Sequence, residues 1–239
     1  MSLATQVLDF IYPHQCVGCG ELVQSEHALC GPCWRETPFI DGAICDHCGA
    51  PLMGGSPDER DCCDDCLKTP RPWTQGRSAL IYVRGARRFV LALKHGGRED
   101  NAVTGAGWMA QAGREILSDE TLLVPIPLHW IRRVRRRYNQ AALLTRELGF
   151  KTGCPVMLDA LIRPAQTKRL DRLSPKERFK VLEGAIRPNP KRDISGRHVV
   201  LIDDVMTSGA TLAVATQAAL HGGAARVDVL TLARAVKDA

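Results

Sequence analysis

The sequence predicts a doubly wound α/β fold with a parallel sheet, joined to a small cysteine-rich module at the N-terminus. Short apolar strands alternate with helical segments between residues 77 and 232, an order typical of a parallel sheet covered by helices on both faces. Nine of the ten cysteines fall between Cys16 and Cys66. We therefore predict two domains, a cysteine-rich module over residues 1–70 and an α/β domain over residues 71–239.

The elements of the α/β domain follow from apolar runs, helical spacing and glycine stops. We predict strands over 77–83, 122–126, 158–162, 199–202 and 226–232, and helices over 86–94, 138–148 and 211–221. Glycines at 96–97, 149 and 222–223 are predicted to end the three helices. Lys94 and His95 are interpreted as capping residues. The polar, basic segment 163–180 is predicted to be a mobile lid over a charged ligand, or else a surface connection.

Charge is divided unequally along the chain. Residues 1–70 carry three basic and eleven acidic residues, a net charge of −8, whereas the remainder carries 29 basic and 15 acidic residues, a net charge of +14. The basic part favours a polyanionic ligand such as pyrophosphate, a nucleotide or nucleic acid, and a solvated basic surface is the alternative. No apolar run reaches the ~18 residues of a membrane span, and the N-terminus lacks a basic secretory region. We expect a cytoplasmic protein without membrane insertion.

Four pairs of cysteines have the two-residue spacing of zinc knuckles: Cys16/Cys19, Cys30/Cys33, Cys45/Cys48 and Cys63/Cys66. Two pairs make one tetrahedral site, so we predict one or two structural Zn²⁺ ions. The sequential assignment places the first two pairs on one ion and the last two on the other. An interleaved assignment and the loss of one ion both stay open. Disulfides are disfavoured in a cytoplasmic chain, and closed sites of this kind leave no position for catalysis.

Two further cysteines lie outside this pattern. Cys62 precedes the last knuckle, and its three-residue spacing to Cys66 makes Cys63 the preferred ligand. Cys154 is far away in the chain, and we expect it to be a small buried apolar residue rather than a ligand.

The stretch from His198 to Leu212 predicts a buried strand, two adjacent carboxylates, a loop of small and hydroxyl-bearing residues, and the start of a helix. Backbone N–H groups at a helix N-terminus bind phosphate, and the hydroxyls add donors. The candidate phosphate-binding residues are Thr207, Ser208, Gly209, Ala210 and Thr211. The carboxylates of Asp203 and Asp204 suit a sugar diol, with or without Mg²⁺. The pattern predicts a phosphorylated sugar as ligand, the alternative being an aspartate that caps the helix.

Five arginines lie between Arg132 and Arg137, shortly after the predicted strand 122–126. Ligands of open α/β sheets bind outside the carboxyl ends of the strands, where an arginine cluster suits pyrophosphate or a nucleic-acid backbone. We predict this role for Arg132, Arg133, Arg136 and Arg137. A solvated helix face is the alternative.

The stretch 198–212 resembles the 5-phosphoribosyl-1-pyrophosphate (PRPP) signature of type I phosphoribosyltransferases. In that family two hydrophobic residues, two acidic residues and a T-[ST]-G-x-T loop recur in this order. The resemblance implies that Asp203 and Asp204 are the catalytic carboxylates, which hold the ribose hydroxyls and stabilise a ribosyl cation. It also implies that residues 207–211 bind the 5-phosphate, that residues 128–133 hold pyrophosphate and that Mg²⁺ accompanies PRPP.

The cysteine-rich module and the α/β domain together resemble the ComF family, which joins an N-terminal zinc ribbon to a type I phosphoribosyltransferase-like domain. The resemblance rests on the cysteine pairs and on three segments, VPIPLHWIRRVRRRYNQAALL at 124–144, TKRLDRLSPKERF at 167–179 and VVLIDDVMTSGATL at 199–212. Two positions depart from the family pattern. Arg136-Arg137-Tyr138 stands where Arg-Gly-Phe is usual, and Val181 stands where asparagine is usual.

Three hypotheses about function follow. The first is an active phosphoribosyltransferase whose acceptor no residue identifies. The second is a non-catalytic sensor of PRPP or a nucleotide. The third comes from the family's link to natural competence and DNA uptake: a factor that binds single-stranded DNA, with a competence helicase as a further partner. Trp130 and Tyr138 beside the arginines supply the stacking faces that single-strand binding requires.

Overall fold

The computed structural model describes residues 12–54, 61–95, 100–128, 139–164 and 184–236. The helices are α1 (Gly31–Glu36), α2 (Asp64–Lys68), α3 (Arg84–His95), α4 (Asn101–Ala112), α5 (Gln140–Thr152) and α6 (Ala210–His221). The strands are β1 (Gly76–Ile81), β2 (Leu122–Pro125), β3 (Leu161–Ile162), β4 (Arg187–Pro188), β5 (His198–Met206) and β6 (Arg226–Arg234). A parallel sheet in the order β1-β6-β5-β2 forms the centre, and β3 pairs with β4 in an antiparallel pair.

The sheet is covered on both faces, which confirms the predicted α/β class. Side chains alternate between the two faces of a strand. Val199 and Leu201 of β5 therefore pack in one apolar cluster with α6, while Val200 and Ile202 pack in the other with α3, α4 and α5. β5 runs between the two clusters, and its residues 199–202 are fully buried.

The cysteine-rich segment is built into this core. Cys45, Cys48 and Cys66 are buried in the same cluster as α6, together with Trp73 and with Val199 and Leu201 of β5. Val17, from the first half of the segment, is buried in the opposite cluster, next to α3 and α4. Each half of the cysteine-rich segment thus covers a different face of the sheet.

Two boundaries differ from the sequence-based prediction for identifiable reasons. The strand predicted over 199–202 continues to Met206, because β6 keeps pairing with β5 beyond Ile202. The helix predicted to stop at Gly149 continues to Thr152 and ends at Gly153 in the left-handed conformation. A Cβ at Gly149 would lie 2.3 Å from the Val156 side chain, so this glycine permits close packing and does not end the helix.

The sequence pattern does not predict helix α4. Its sequence is rich in alanine and glycine and holds no charged residue, so the face that buries Ala102, Ala106 and Met109 is not opposed by a charged face. Gly105 allows close approach to Leu144 and Leu232. The predicted strand 158–162 shortens to the two residues of β3. Within the described ranges, no helix is both long and apolar enough to cross a bilayer.

Candidate ligand site and cysteine clusters

Asp203 and Asp204 lie at the end of β5 where the sheet narrows. The ladder with β2 stops at the pair of Pro125 and Ile202, whereas β6 continues to pair with Asp203 through Thr231. The two carboxylates therefore belong to the strand, which corrects the prediction that they follow it. Within the described residues, no strand pairs with this edge of β5 beyond Ile202, and ligands of such sheets bind at the carboxyl ends of the strands.

Lys94 is the first partner of this carboxylate pair. Its Nζ lies 3.1 Å from Oδ2 of Asp204, and the two side chains are only 18% and 13% exposed. Lys94 stands in the last turn of α3, where its position alone indicates a helix cap. The ion pair joins residues from distant parts of the chain, so local spacing could not reveal it. The only sign of this ion pair in the sequence is that a lysine stands just before the glycines that follow the first helix of the α/β domain.

Asp203 has a different environment from its neighbour. Its Oδ1 accepts a hydrogen bond of 2.9 Å from the backbone N–H of Asp204. Burial and the negative charge of Asp204 raise the pKa of Asp203 to about 7, although the cations of Lys94 and Arg163 oppose this. A carboxyl group with this pKa exchanges its proton near neutral pH and favours a cation or hydroxyl donors beside it.

The raised pKa predicts how stability depends on pH. The folded state holds a proton on Asp203 between pH ~4 and ~7 that the unfolded chain has released, so this residue destabilises the fold progressively as pH rises. Asparagine cannot ionise. We expect the stability advantage of Asp203→Asn over the wild type to be about 3 kcal/mol larger at pH 8 than at pH 5. Thermal denaturation at both pH values in Mg²⁺-free buffer measures the difference.

Asp159→Asn is the matched control, because Arg192 lowers the pKa of this exposed carboxyl group. That substitution should give no gain at pH 8. Stability curves for Asp203→Asn and the wild type that stay parallel from pH 5 to pH 8 would contradict the assignment.

The loop between β5 and α6 turns on Gly209. This residue precedes α6 and has a φ of 78°, a conformation that L side chains rarely adopt. A Cβ at Gly209 would lie 3.1 Å from Trp73 and 3.2 Å from Nη1 of Arg71. Glycine is therefore required both by the turn and by the close approach of these two side chains.

Two arginines set the direction of the peptide groups in this loop. Nη1 of Arg234 donates to the carbonyl of Thr207 at 2.7 Å, and Nη1 of Arg71 donates to the carbonyl of Ser208 at 2.8 Å. In a planar trans peptide the C=O and the following N–H point in opposite directions. The N–H groups of Ser208 and Gly209 therefore face away from the arginines. Successive N–H groups on one side at the start of a helix form an anion-binding concavity.

The structure brings together the carboxylate pair and the loop of residues 207–211 at the carboxyl end of β5. Arg132, Arg133, Arg136 and Arg137 lie outside the described residues, as does most of the predicted lid. Asn139 lies just after the arginine segment, and its Nδ2 donates to the carbonyl of Ile126 at 3.1 Å. The described chain on the two sides of the arginine segment thus meets at the end of β2, beside the carboxylate site.

The cysteines form two clusters in the sequential grouping. The first contains Cys16, Cys19, Cys30 and Cys33, and the second contains Cys45, Cys48, Cys63 and Cys66. Sulfur atoms of Cys19 and Cys30, and those of Cys48 and Cys63, are 3.6 Å apart. Tetrahedral Zn²⁺ with Zn–S bonds of about 2.3 Å requires sulfur separations of about 3.8 Å. Both clusters therefore fit structural zinc.

The sulfur atoms also accept hydrogen bonds, as metal-bound thiolates do. In the first cluster the N–H groups of Gly18 and Cys30 donate to Cys16 at 3.3 and 3.2 Å. In the second, hydrogen bonds from the Cys48 and Cys66 thiols lower the pKa of Cys45. Neighbouring thiols and burial raise the pKa values of Cys33, Cys48 and Cys66, so in each cluster one cysteine is the preferred thiolate, Cys16 in the first and Cys45 in the second.

The remaining cysteines lie outside both clusters. Cys62 is half-buried, and burial raises the pKa of its thiol. Cys154 is buried, and its thiol donates to the carbonyl of Ser118 at 3.0 Å.

Comparison with known families defines the class of protein. The double zinc ribbon domain matches residues 7–67, and the phosphoribosyl transferase domain matches residues 116–238. These two matches cover the cysteine clusters and the carboxylate site in turn. The chain is a phosphoribosyltransferase-domain protein with a double zinc ribbon.

Full-length relatives refine this class. The chain is 32% identical over 221 residues to "DNA utilization protein YhgH" of Salmonella typhi, covering 89% of this chain and 93% of that protein. It is 28% identical over 228 residues to "Competence protein F" of Haemophilus influenzae, covering 92% of this chain and 97% of that protein. The chain belongs to the ComF/YhgH family.

Among solved structures, a hypoxanthine phosphoribosyltransferase from Staphylococcus aureus aligns over 57% of this chain and 64% of its own, with 14% sequence identity and a TM-score of 0.38.

Proposed function

We propose that this protein binds PRPP, or a related phosphoribose ligand, together with Mg²⁺ at the carboxyl end of β5. The observation that carries the proposal is the pairing of two carboxylates with an adjacent loop whose N–H groups face one way. Asp203 and Asp204 accept hydrogen bonds, which suits the two hydroxyls of a ribose. Residues 207–211 offer donors to a phosphate at the start of α6.

Charge supports the same ligand. Residues 71–239 carry a net charge of +14, which favours a polyanion. Lys94 pairs with Asp204, and its Nζ is a cation already present at the carboxylates. The near-neutral pKa of Asp203 means that a bound cation displaces its proton and strengthens the negative charge that faces the ribose.

Phosphoribosyl transfer breaks the bond between C1 of the ribose and the pyrophosphate oxygen and forms a bond from C1 to the acceptor. Positive charge develops on the ribose, and negative charge develops on the departing pyrophosphate. In this proposal Asp203 and Asp204 stabilise the positive charge on the ribose. Arg132 and Arg133 remain the sequence-based candidates for stabilising the negative charge on the pyrophosphate. Mg²⁺, when bound, neutralises pyrophosphate. The acceptor is unassigned, so PRPP binding without transfer is part of the same proposal.

Isothermal titration of the wild-type protein with PRPP, with and without Mg²⁺, tests the binding step. We expect saturable binding of one PRPP per chain, and tighter binding when Mg²⁺ is present. Ribose 5-phosphate should bind more weakly, because it lacks the pyrophosphate. Absence of binding at millimolar PRPP would overturn the proposal.

A second candidate function is the binding of single-stranded DNA. Two observations favour it: relatives bear the names DNA utilization protein and competence protein, and five arginines lie within 132–137. Fluorescence anisotropy with a labelled oligo-dT at 50 to 300 mM salt tests it. Affinity should fall steeply with salt, and Arg132→Ala/Arg133→Ala should make that dependence shallower. Lack of binding at low salt would exclude this function.

A further inference from the structure

Three side chains connect the second cysteine cluster to the loop of residues 207–211. Nε of Arg71 donates to Sγ of Cys66 at 3.4 Å, while its Nη1 donates to the carbonyl of Ser208 at 2.8 Å. Nη2 of Arg234 donates to Sγ of Cys48 at 3.9 Å, while its Nη1 donates to the carbonyl of Thr207 at 2.7 Å. Each guanidinium group therefore contacts a cluster sulfur and a loop carbonyl at once.

Trp73 forms the third connection. Its indole N–H donates to the carbonyl of His47, inside the knuckle between Cys45 and Cys48. The far edge of its ring faces Gly209, where an added Cβ would lie 3.1 Å away. Trp73 is buried, and the Arg71 guanidinium group lies 5.8 Å from the centre of its ring. The knuckle, the tryptophan and the loop are in continuous contact.

Charge explains why arginines fill these positions. Four thiolates and one Zn²⁺ carry a formal charge of −2, which the guanidinium groups of Arg71 and Arg234 balance. Arg234 is only 4% exposed, so its charge needs buried partners, and the loop carbonyls and a cluster sulfur supply them. The planar fork of arginine suits a residue that must hold two acceptors in fixed directions.

The first cluster has a different setting. Its described sulfur contacts come from its own segment, such as the N–H groups of Gly18 and Cys30. The nearby Val17 and His27 instead receive hydrogen bonds through their carbonyls from Asn101 and Thr104 of α4. The two clusters therefore provide an internal comparison.

We propose that metal occupancy of the Cys45/Cys48/Cys63/Cys66 cluster sets the affinity of the 207–211 loop for the phosphate of its ligand, with Arg71 and Arg234 as positioning residues. This inference rests on the proposed phosphoribose site. The ion fixes the thiolates, the thiolates fix the guanidinium groups, and these hold two peptide groups so that the N–H groups of Ser208 and Gly209 face the anion. By thermodynamic reciprocity, a bound ligand must in turn tighten the hold on the second metal.

The test compares Arg71→Ala with Arg192→Ala, which breaks an exposed ion pair with Asp159. We expect Arg71→Ala to weaken PRPP binding about 10-fold to 30-fold by titration calorimetry, which corresponds to about 1.4 to 2 kcal/mol. Arg192→Ala should stay within twofold of the wild type. Arg71→Lys keeps the charge without the fork, so it should recover only part of the affinity.

Zinc release to a chromogenic chelator gives a readout independent of catalysis. Saturating PRPP with Mg²⁺ should slow the release of one of the two ions in the wild type, and Arg71→Ala should abolish that protection. Cys19→Ser, which disables the first cluster, should keep it. Unchanged affinity together with unchanged protection in Arg71→Ala would overturn the inference.

Hydrogen exchange separates failure of this inference from failure of the proposed function. If the wild type does not bind PRPP, the proposed function fails. Amide exchange at Ser208 and Gly209 still measures whether the arginines hold these peptide groups in place. Faster exchange in Arg71→Ala than in Arg192→Ala supports the coupling between cluster and loop. Equal exchange in the two variants refutes it.

Discussion

Asp203→Ala/Asp204→Ala is expected to weaken PRPP binding at least ~100-fold while both cysteine clusters keep their metal. Each carboxylate that accepts a hydrogen bond from the ribose contributes about 1.5–3 kcal/mol, and a 100-fold loss corresponds to about 2.7 kcal/mol. Each carboxylate is expected to accept a hydrogen bond from a different ribose hydroxyl, so neither replaces the other. Titration calorimetry with PRPP and Mg²⁺ measures the loss.

The matched control is Asp159→Ala/Asp193→Ala, which removes two exposed carboxylates outside the site. It should bind PRPP as the wild type does. The fold of the site variant should persist, because loss of the Asp204 ion pair with Lys94 is offset by removal of the destabilising charge on Asp203. Equal PRPP affinity in the site variant and the control would refute the assignment of the carboxylates.

Cys45→Ser is expected to destabilise the protein much more than Cys19→Ser, although each removes one thiolate from a four-cysteine cluster. Cys45 is fully buried in the apolar cluster that contains Val199 and Leu201, whereas Cys19 is exposed. Loss of the metal at the second cluster therefore leaves polar thiols in the core and loosens its packing. We expect Cys45→Ser to cost about 3–5 kcal/mol and Cys19→Ser about 1–2 kcal/mol.

Zinc content per chain and thermal denaturation together measure this difference. Both variants should bind about one Zn²⁺ in place of two. The unfolding temperature of Cys45→Ser should fall by about 10 °C, since a domain of this size loses about 2–4 °C per kcal/mol. Equal losses of unfolding temperature in the two variants would show that burial of the second cluster contributes nothing to stability.

The sequence revealed the features that are local in the chain. The cysteine grouping follows from knuckles two residues apart, and the structure confirms the sequential pairing into two clusters. The β5 motif was visible because strand, carboxylates, loop and helix follow each other without interruption. The alternation of strands and helices predicted a parallel sheet, and the structure confirms it.

The features that were missed depend on contacts between distant residues. The hydrogen bond from Arg71 to Ser208 spans 137 positions, and that from Arg234 to Cys48 spans 186. Nothing near these arginines in the sequence distinguishes them from surface residues. Gly149 was predicted from local sequence to end a helix, but the helix continues past it. The glycine is needed there because Val156 packs against its backbone.

The placement of the cysteine-rich segment on both faces of the sheet changes how the chain is divided. A boundary at residue 70 separates the sequence into two compositions, but the buried surface of the sheet is completed by residues on both sides of it. A fragment that begins at residue 71 would expose apolar side chains that Cys45, Cys48 and Val17 now cover. We therefore expect the zinc ribbons and the α/β domain to unfold together, as one cooperative unit.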